Sequence, residues 1–553
     1  MRLLLGHLFL VTSGIILSFP SAQAQSFNIK NFDELASQAG FNYRQIKEAP
    51  QSKRVKIAIL DKDFTGYKDA IGKTLPARTT YIPGPVAVGS KGSDQHGFYM
   101  AQIAHAFITE QNRLTNTEIE FLLIEYNGYS NLIAAVDRAI QEKVDIVLHA
   151  LVIEYGSNFD GGGFFNKEID RAAHAGILWV NAAGNNKITT YNFSPIRTNA
   201  DNWVQLPGPN QTISFRCDPI PDTDSCPLRL VLAWNDSKDN PEEGTDKDLD
   251  LLLLDDTLNI MAGSYLQQKL KTDGVPGESK YPREIIEQKL EKGRYLIRVK
   301  NRSNNFTNRD NLRITAVGDG IQFENSDKNE NIAVMADNPR ALTVGAWDAD
   351  KSSLSKRLRK PEVLAPSIIE LEDDKKFAGS SNATAIAVAA LALIYQELDY
   401  NKKLTKEDAI KRLTSSAPRR MANMGFGLPT EALGFGPRNG ECFLPLNPYN
   451  LPYNYQLYVR NGAIAVDTTQ GLKLMTLFSL QNMDRRLNPR DQSFKVIATP
   501  NGLVNVARAM QNLPYPEIFE LPEDSYVCSN INVNYPPTNK ANTLGFKFRS
   551  GPK

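Results

Sequence analysis

Val55-Lys56-Ile57-Ala58-Ile59-Leu60 sets five apolar or small residues among six and ends on an acid, Asp61. A short run that is apolar without alternation and rich in β-branched side chains predicts a strand buried on both faces, as in a parallel sheet. Apolar stretches at 119–124, 145–148 and 177–180 predict further strands of this kind. Between them, 131–141 and 166–175 carry apolar residues at helical spacing. That alternation predicts an α/β fold, a doubly wound parallel sheet with helices on both faces.

The pattern changes after Asn185. Segments 228–234, 248–255, 293–299 and 311–317 are short, alternating and broken by Gly, Asn, Asp and Pro. They predict a β-sandwich inserted into the α/β domain. Domains insert readily when their ends lie close together. Residues 404–415 then read as an amphipathic helix opened by Thr405-Lys406-Glu407-Asp408. From about Gly434 the composition shifts to Pro, Asn and Tyr, and 455–459 and 463–466 flank Arg460-Asn461-Gly462, a hairpin signal. The expected organisation is therefore 1–24, a signal peptide; 25–54, a short N-terminal segment; 55–195 and 326–432, the two parts of the α/β domain; 196–325, the inserted sandwich; and 433–553, a C-terminal β-rich domain.

Three segments carry candidate chemistry. Asp61 ends a buried strand, at the carboxyl edge where open α/β sheets place their sites; Asp63 is a nearby competitor. Asp94-Gln95-His96-Gly97 precedes a run, 98–104, that reads as the start of a helix with His96 in its first turn. The chain has five histidines. His7 lies in the signal segment, and His105 falls on the opposite helix face from His96, since nine residues advance a helix by about 900°. His149 sits in an apolar strand, and His174 sits where a helix ends. The third segment is Gly379-Ser380-Ser381-Asn382-Ala383-Thr384, followed by the apolar run 385–394. Small neighbours let a substrate backbone approach, and a helix N-terminus favours the negative charge of acyl transfer. The bland reading of Gly-Ser-Ser is a helix cap.

Taken in the order Asp, His, Ser, these segments resemble those of the subtilases, the subtilisin-like serine proteases. The resemblance covers 55–190 and 332–420. Asn181-Ala182-Ala183-Gly184-Asn185 resembles the family's Ala-Gly-Asn segment, and the Ser381 segment resembles Gly-Thr-Ser-Met-Ala-Thr. Leu342-Thr343-Val344-Gly345-Ala346 and Leu364-Ala365-Pro366 add weaker support. There are departures: Asp61-Lys62-Asp63 replaces Asp-Ser/Thr-Gly, Phe98-Tyr99 follows His96-Gly97, and Ala385 replaces a proline. Ala150-Leu151-Val152 stands where the family has its substrate-binding Ser-Leu-Gly. The resemblance implies a secreted serine endopeptidase in which Ser381 is nucleophile, His96 general base, Asp61 its orienting acid and Asn185 an oxyanion donor. Asn185 also reads as a turn former beside Gly184. Two other classes stay open: a silent binding or adhesion protein that keeps the fold, and a peptide ligase using the same triad.

Met1-Arg2, the mostly apolar 3–19 and Ala22-Gln23-Ala24 read as a secretory signal, so the mature chain is expected to be secreted or periplasmic, with no transmembrane span. Only 30 residues, Gln25 to Arg54, separate that site from Val55. They are expected to pack on the α/β domain. Export suits the four cysteines, for which Cys217–Cys226 and Cys442–Cys528 are the expected pairs because each falls inside one domain. With 63 basic and 62 acidic residues the net charge is +1, which gives no pull toward nucleic acid. Protein or peptide substrates are the expected partners, and the chemistry requires no cofactor. Asp246, Asp248 and Asp250 are weak calcium candidates; a solvated acidic turn is the competing reading.

Overall fold

The computed structural model describes residues 27–39, 54–84, 95–111 and 119–415, apart from 222, 273, 347, 374, 397 and 399–401, and beyond 415 the backbone of short strands between Cys442 and Phe548. The first α/β elements are α1 (Phe32–Gln38), β1 (Val55–Asp61), α2 (Tyr67–Ala70), β2 (Arg78–Ile82), α3 (His96–Gln111), β3 (Ile119–Glu125), α4 (Tyr129–Gln141), β4 (Ile146–His149), α5 (Phe164–His174) and β5 (Leu178–Ala182).

The strands of the inserted region follow: β6 (Thr190–Phe193), β7 (Ile213–Cys217), β8 (Ser225–Trp234), β9 (Leu249–Leu254), β10 (Ile260–Ser264), β11 (Gln267–Gln268), β12 (Glu278–Ser279), β13 (Arg283–Glu291), β14 (Gly293–Asn301), β15 (Leu312–Val317) and β16 (Ile321–Phe323), of which β11 and β12 pair with each other. The chain returns to the α/β layer with β17 (Leu342–Ala346), β18 (Val363–Ala365), the small ribbon β19 (Ile369–Glu370) and β20 (Lys376–Phe377), then α6 (Ser380–Gln396) and α7 (Lys406–Ser415).

Seven parallel strands form the central sheet in the order β18-β17-β5-β4-β1-β3-β2. Ile57 and Ile59 join one core with α3 and α6, while Ala58 and Leu60 join another with α4 and α5. Burial of both faces from Ile57 onward is why β1 reads as an apolar run interrupted only at Lys56. Helix α4 buries Leu132, Ala135, Val136 and Ala139, a single stripe at helical spacing. Helix α6 is buried from Ser380 to Tyr395, as an all-round apolar helix must be. Its alanines favour helix and let neighbouring elements come close. In α7 the Asp408 N–H donates to Thr405 Oγ1 at 3.1 Å, the cap expected from the sequence.

Residues 27–39 of the N-terminal segment pack on this domain. Leu35, Ala36 and Ala39 enter the α3/α6 core, and Lys30 N–H donates to Glu370 O at 2.7 Å.

A five-stranded sheet, β10-β9-β14-β7-β16, faces a four-stranded one, β13-β8-β15-β6, around Phe215, Trp234, Leu251, Ile297 and Ile314. The disulfide Cys217–Cys226 ties β7 of one sheet to β8 of the other. The sandwich begins upstream of residue 196, because β6 pairs with β15. A four-residue strand reading Thr-Tyr-Asn-Phe carries too little pattern to reveal that pairing.

In the C-terminal region, Gln456–Arg460 and Ala463–Thr468 pair antiparallel. The backbone register sets Cys442 opposite Cys528, whose side chains lie outside the described residues. Residues 1–24 lie outside them too. No helix among the described residues is long and apolar enough to cross a membrane.

Candidate active site

Asp61 is the last residue of β1 and is wholly buried. Its Oδ1 lies 2.8 Å from His96 Nδ1 and also accepts the Lys62 N–H at 2.8 Å. His96 opens α3, with a quarter of its side chain exposed. The helix start is drawn onto the strand end by Gly97, whose N–H donates to Lys62 O at 2.9 Å. A Cβ at Gly97 would fall 2.8 Å from that same oxygen and from the Phe64 ring. Glycine is thus required by close approach.

Asp63 does different work. Its carboxylate accepts the Thr65 N–H at 3.0 Å and the Gln95 N–H at 3.1 Å, so it shapes the turn and the entry to α3. Of the two acids, Asp61 is the one on the imidazole.

Ser381 is the second residue of α6 and is 9% exposed. Its hydroxyl donates to the Ala150 carbonyl at 3.0 Å. The turn holding Asn185 is stitched to the same helix start. Ser380 N–H donates to Asn185 Oδ1 at 3.0 Å, and Gly184 N–H donates to Ser380 Oγ at 3.0 Å. A Cβ at Gly379 would meet Asn185 Nδ2 at 2.9 Å. Because the Asn185 oxygen accepts from the helix, the amide nitrogen is the end left to donate. A further brace holds the loop before α6: Gly379 N–H donates to Ser367 Oγ at 3.2 Å, and Ser367 Oγ donates to Asp348 Oδ1 at 2.6 Å.

Ala150 to Val152 leave the end of β4. Leu151 packs with the α4/α5 core, and Val152 packs against Ala183, Ile332, Ala333 and Ala336. The next carbonyl, Ile153 O, accepts the Val334 N–H at 3.1 Å. The structure therefore brings Asp61, His96, Asn185, Ser381 and Ala150 to one edge of the sheet, at the carboxyl ends of β1, β4 and β5.

The remaining described histidines are placed differently, although His149, next to Ala150 at the end of β4, is near enough to feel the charges of Asp61 and His96. His149 is buried, and its Nδ1 donates to Asn181 Oδ1 at 2.7 Å, an oxygen that also accepts Trp179 Nε1–H at 3.0 Å. Its Nε2 therefore accepts the Tyr126 hydroxyl. Burial pulls the His149 ring down to about 4, keeping it neutral. His105 is likewise lowered to about 4 by burial. His174 is exposed in the last turn of α5. The partners Tyr126 and Asn181, and the stitching by Ser380, escaped the sequence reading. Asn181 and Ser380 at least stood inside the quoted motifs.

Asp246, Asp248 and Asp250 do not form a coordination set. Asp250 is paired with Arg302, and Asp246 is exposed. Burial first, and then Asp250, raise Asp248 to about 6. No group of three or more His, Cys, Asp or Glu among the described residues is placed to hold a metal ion.

Residues 52–214 match the model of the subtilase family. The α/β domain, whose first part lies in that stretch, is similar to a subtilase domain and carries an inserted sandwich between Asn185 and Ser381. Solved structures similar to the chain include the CspB protease of Clostridium perfringens, at 12% identity over 66% of this chain and 88% of that one, with a TM-score of 0.37. The prenylagaramide maturation protease PagA is 12% identical over 72% of this chain and 96% of its own, with a TM-score of 0.32. MycP1 with its N-terminal propeptide removed is 13% identical over 70% and 89%, with a TM-score of 0.30. None of the curated proteins matches the chain.

Proposed function

We propose that this subtilase-like domain is an exported serine endopeptidase acting through Ser381, His96, Asp61 and Asn185. The observation that carries the reading is the 2.8 Å pair between buried Asp61 and His96 Nδ1. A carboxylate on Nδ1 holds the imidazole in the tautomer whose Nε2 is a base, and stabilises the imidazolium once it forms.

In the proposed reaction His96 takes the Ser381 proton as Oγ attacks a peptide carbonyl, then returns it to the leaving amine. Water completes the second half of the cycle by the same route. The Asn185 amide and the Ser381 N–H at the start of α6 hold the tetrahedral oxyanion, with the helix N-terminus adding its dipole. For attack, the Ser381 hydroxyl must exchange the Ala150 carbonyl for His96. Catalytic hydrogen bonds often tighten only when substrate is bound. The segment 150–152 is the backbone we assign to substrate binding. Export is supported by the N-terminal signal pattern and by the Cys217–Cys226 disulfide, which suits an oxidising compartment.

The Ser381–Ala150 bond is also the observation favouring a second reading, a protein that binds peptides on this fold without turnover. Incubation of the full chain and Ser381→Ala with an unfolded protein substrate separates the two. Internal cleavages seen by mass spectrometry with wild type and absent with the variant support the endopeptidase. Substrate that stays intact with both supports the binding protein.

A further inference from the structure

Arg313 lies on β15 of the sandwich and is 5% exposed. A buried guanidinium brings five N–H donors that need acceptors. Nε donates to Asn192 Oδ1 on β6 at 2.8 Å, Nη1 to Ile332 O at 2.6 Å and Nη2 to Glu330 O at 3.4 Å. The guanidinium also sits 4.2 Å from the centre of the Phe159 ring. Burial lowers the group to about 10, with Asp337, Glu330 and Asp327 opposing the shift, so it is charged at neutral pH.

The strip 330–334 that Arg313 grips belongs to neither sheet of the sandwich. It is wedged between the two segments that flank the serine. On one side Ala333 N–H donates to Ala183 O at 3.1 Å, next to Gly184 and Asn185. A Cβ on Gly184 would lie 3.0 Å from Ala333 Cβ, so the strip is in close contact with that turn. On the other side Val334 N–H donates to Ile153 O at 3.1 Å, at the end of the segment whose Ala150 carbonyl holds Ser381.

We infer that Arg313 is a positioning residue, reaching from the inserted sandwich to fix the 330–334 strip and, through it, the spacing between the Asn185 turn and the 150–153 segment. The sandwich is then part of the catalytic architecture. The inference rests on the serine endopeptidase reading above. Arg is needed for its fork, because it reaches three acceptors on two chain segments, β6 and the 330–334 strip, from one planar group, which a lysine ammonium cannot reproduce.

The test compares the full-length wild type, Arg313→Ala and Arg313→Lys on one internally cleaved peptide, with and without ethylguanidinium. Thermal unfolding and the intact Cys217–Cys226 disulfide report folding. A misplacement of about 1 Å can cost about a hundredfold in rate, so kcat of R313A should fall by about that factor, with KM moving less. Ethylguanidinium should restore kcat of R313A saturably and leave wild type unchanged, and folded R313K should stay well below wild type. A folded R313A with wild-type kcat overturns the inference. If R313A does not fold, R313K decides: wild-type kcat overturns the inference, and a kcat lowered by about tenfold or more supports it. An inert wild type overturns the endopeptidase reading and this inference with it, whereas an active wild type matched by its variants overturns the inference alone.

Discussion

The side-chain oxygen of Asn185 accepts the backbone N–H of Ser380 at 3.0 Å. One bond thus fixes the turn after β5 to the start of α6 and sets which end of the amide can donate. Two variants separate these roles. Asn185→Ala loses both anchor and donor, and its kcat should fall by about 10²–10³-fold. Asn185→Asp keeps an oxygen for Ser380 but has no N–H, so it should lose turnover at least as severely while its melting temperature stays near that of wild type. Steady-state kinetics with thermal unfolding checks both.

Asp61→Asn should fold and fail. The carboxamide can bind His96 Nδ1 through either end, but it cannot enforce the tautomer or balance an imidazolium. A loss of about 10⁴-fold in kcat with little change in KM is expected. Asp63→Asn should act differently, because Asp63 holds the backbone of Thr65 and Gln95. Its measurable effect should be on stability, with turnover changed far less than in Asp61→Asn.

His149 should make the α/β domain acid-sensitive. Its folded value, lowered to about 4 by burial, lies below the unfolded value near 6.5. The unfolded chain therefore binds the proton first. The contribution is complete above about pH 6.5 and is lost as pH falls toward 4, a difference of about 3 kcal/mol. Hydrogen exchange of β4 and β5 amides, corrected for intrinsic rate, should show protection falling over that window. His149→Gln should lower protection at pH 7 and flatten the slope.

Glu284 should give the sandwich the opposite dependence. It is fully buried, and burial raises it to about 7 against donation from Ser264, Gln268 and Leu266. The protonated form fits the fold, so its contribution is present below about pH 4.5 and is lost as pH rises through 7. Protection of β13 amides should fall between pH 5 and 8, and Glu284→Gln should remove most of that change. A slope that survives in the variant would assign it to Asp248.

What the sequence made legible was whatever burial writes into local pattern. The two-faced burial of β1 gave an apolar run, interrupted only at Lys56, that placed Asp61, and the helical run after His96 placed the imidazole. The place of Asp61 at the strand end also favoured it over Asp63; what Asp63 does instead was not legible, because it depends on backbone N–H groups at Thr65 and Gln95 that no side-chain pattern encodes. Tyr126, His149 and Asn181 meet across three strand ends, a contact set by sheet order. Arg313 sits in an alternating strand, where an arginine reads as solvent-facing. Its burial comes from the 330–334 strip, which follows the sandwich in the chain.

The central claim is that Ser381 is an activated nucleophile. Labelling of the purified full-length protein with a fluorophosphonate probe, beside Ser381→Ala and Asp61→Asn and followed by peptide mapping, tests it most directly. An adduct on Ser381, absent in the first variant and greatly slowed in the second, is the predicted result. A folded wild type left unlabelled, or labelled equally fast in Asp61→Asn, would contradict it.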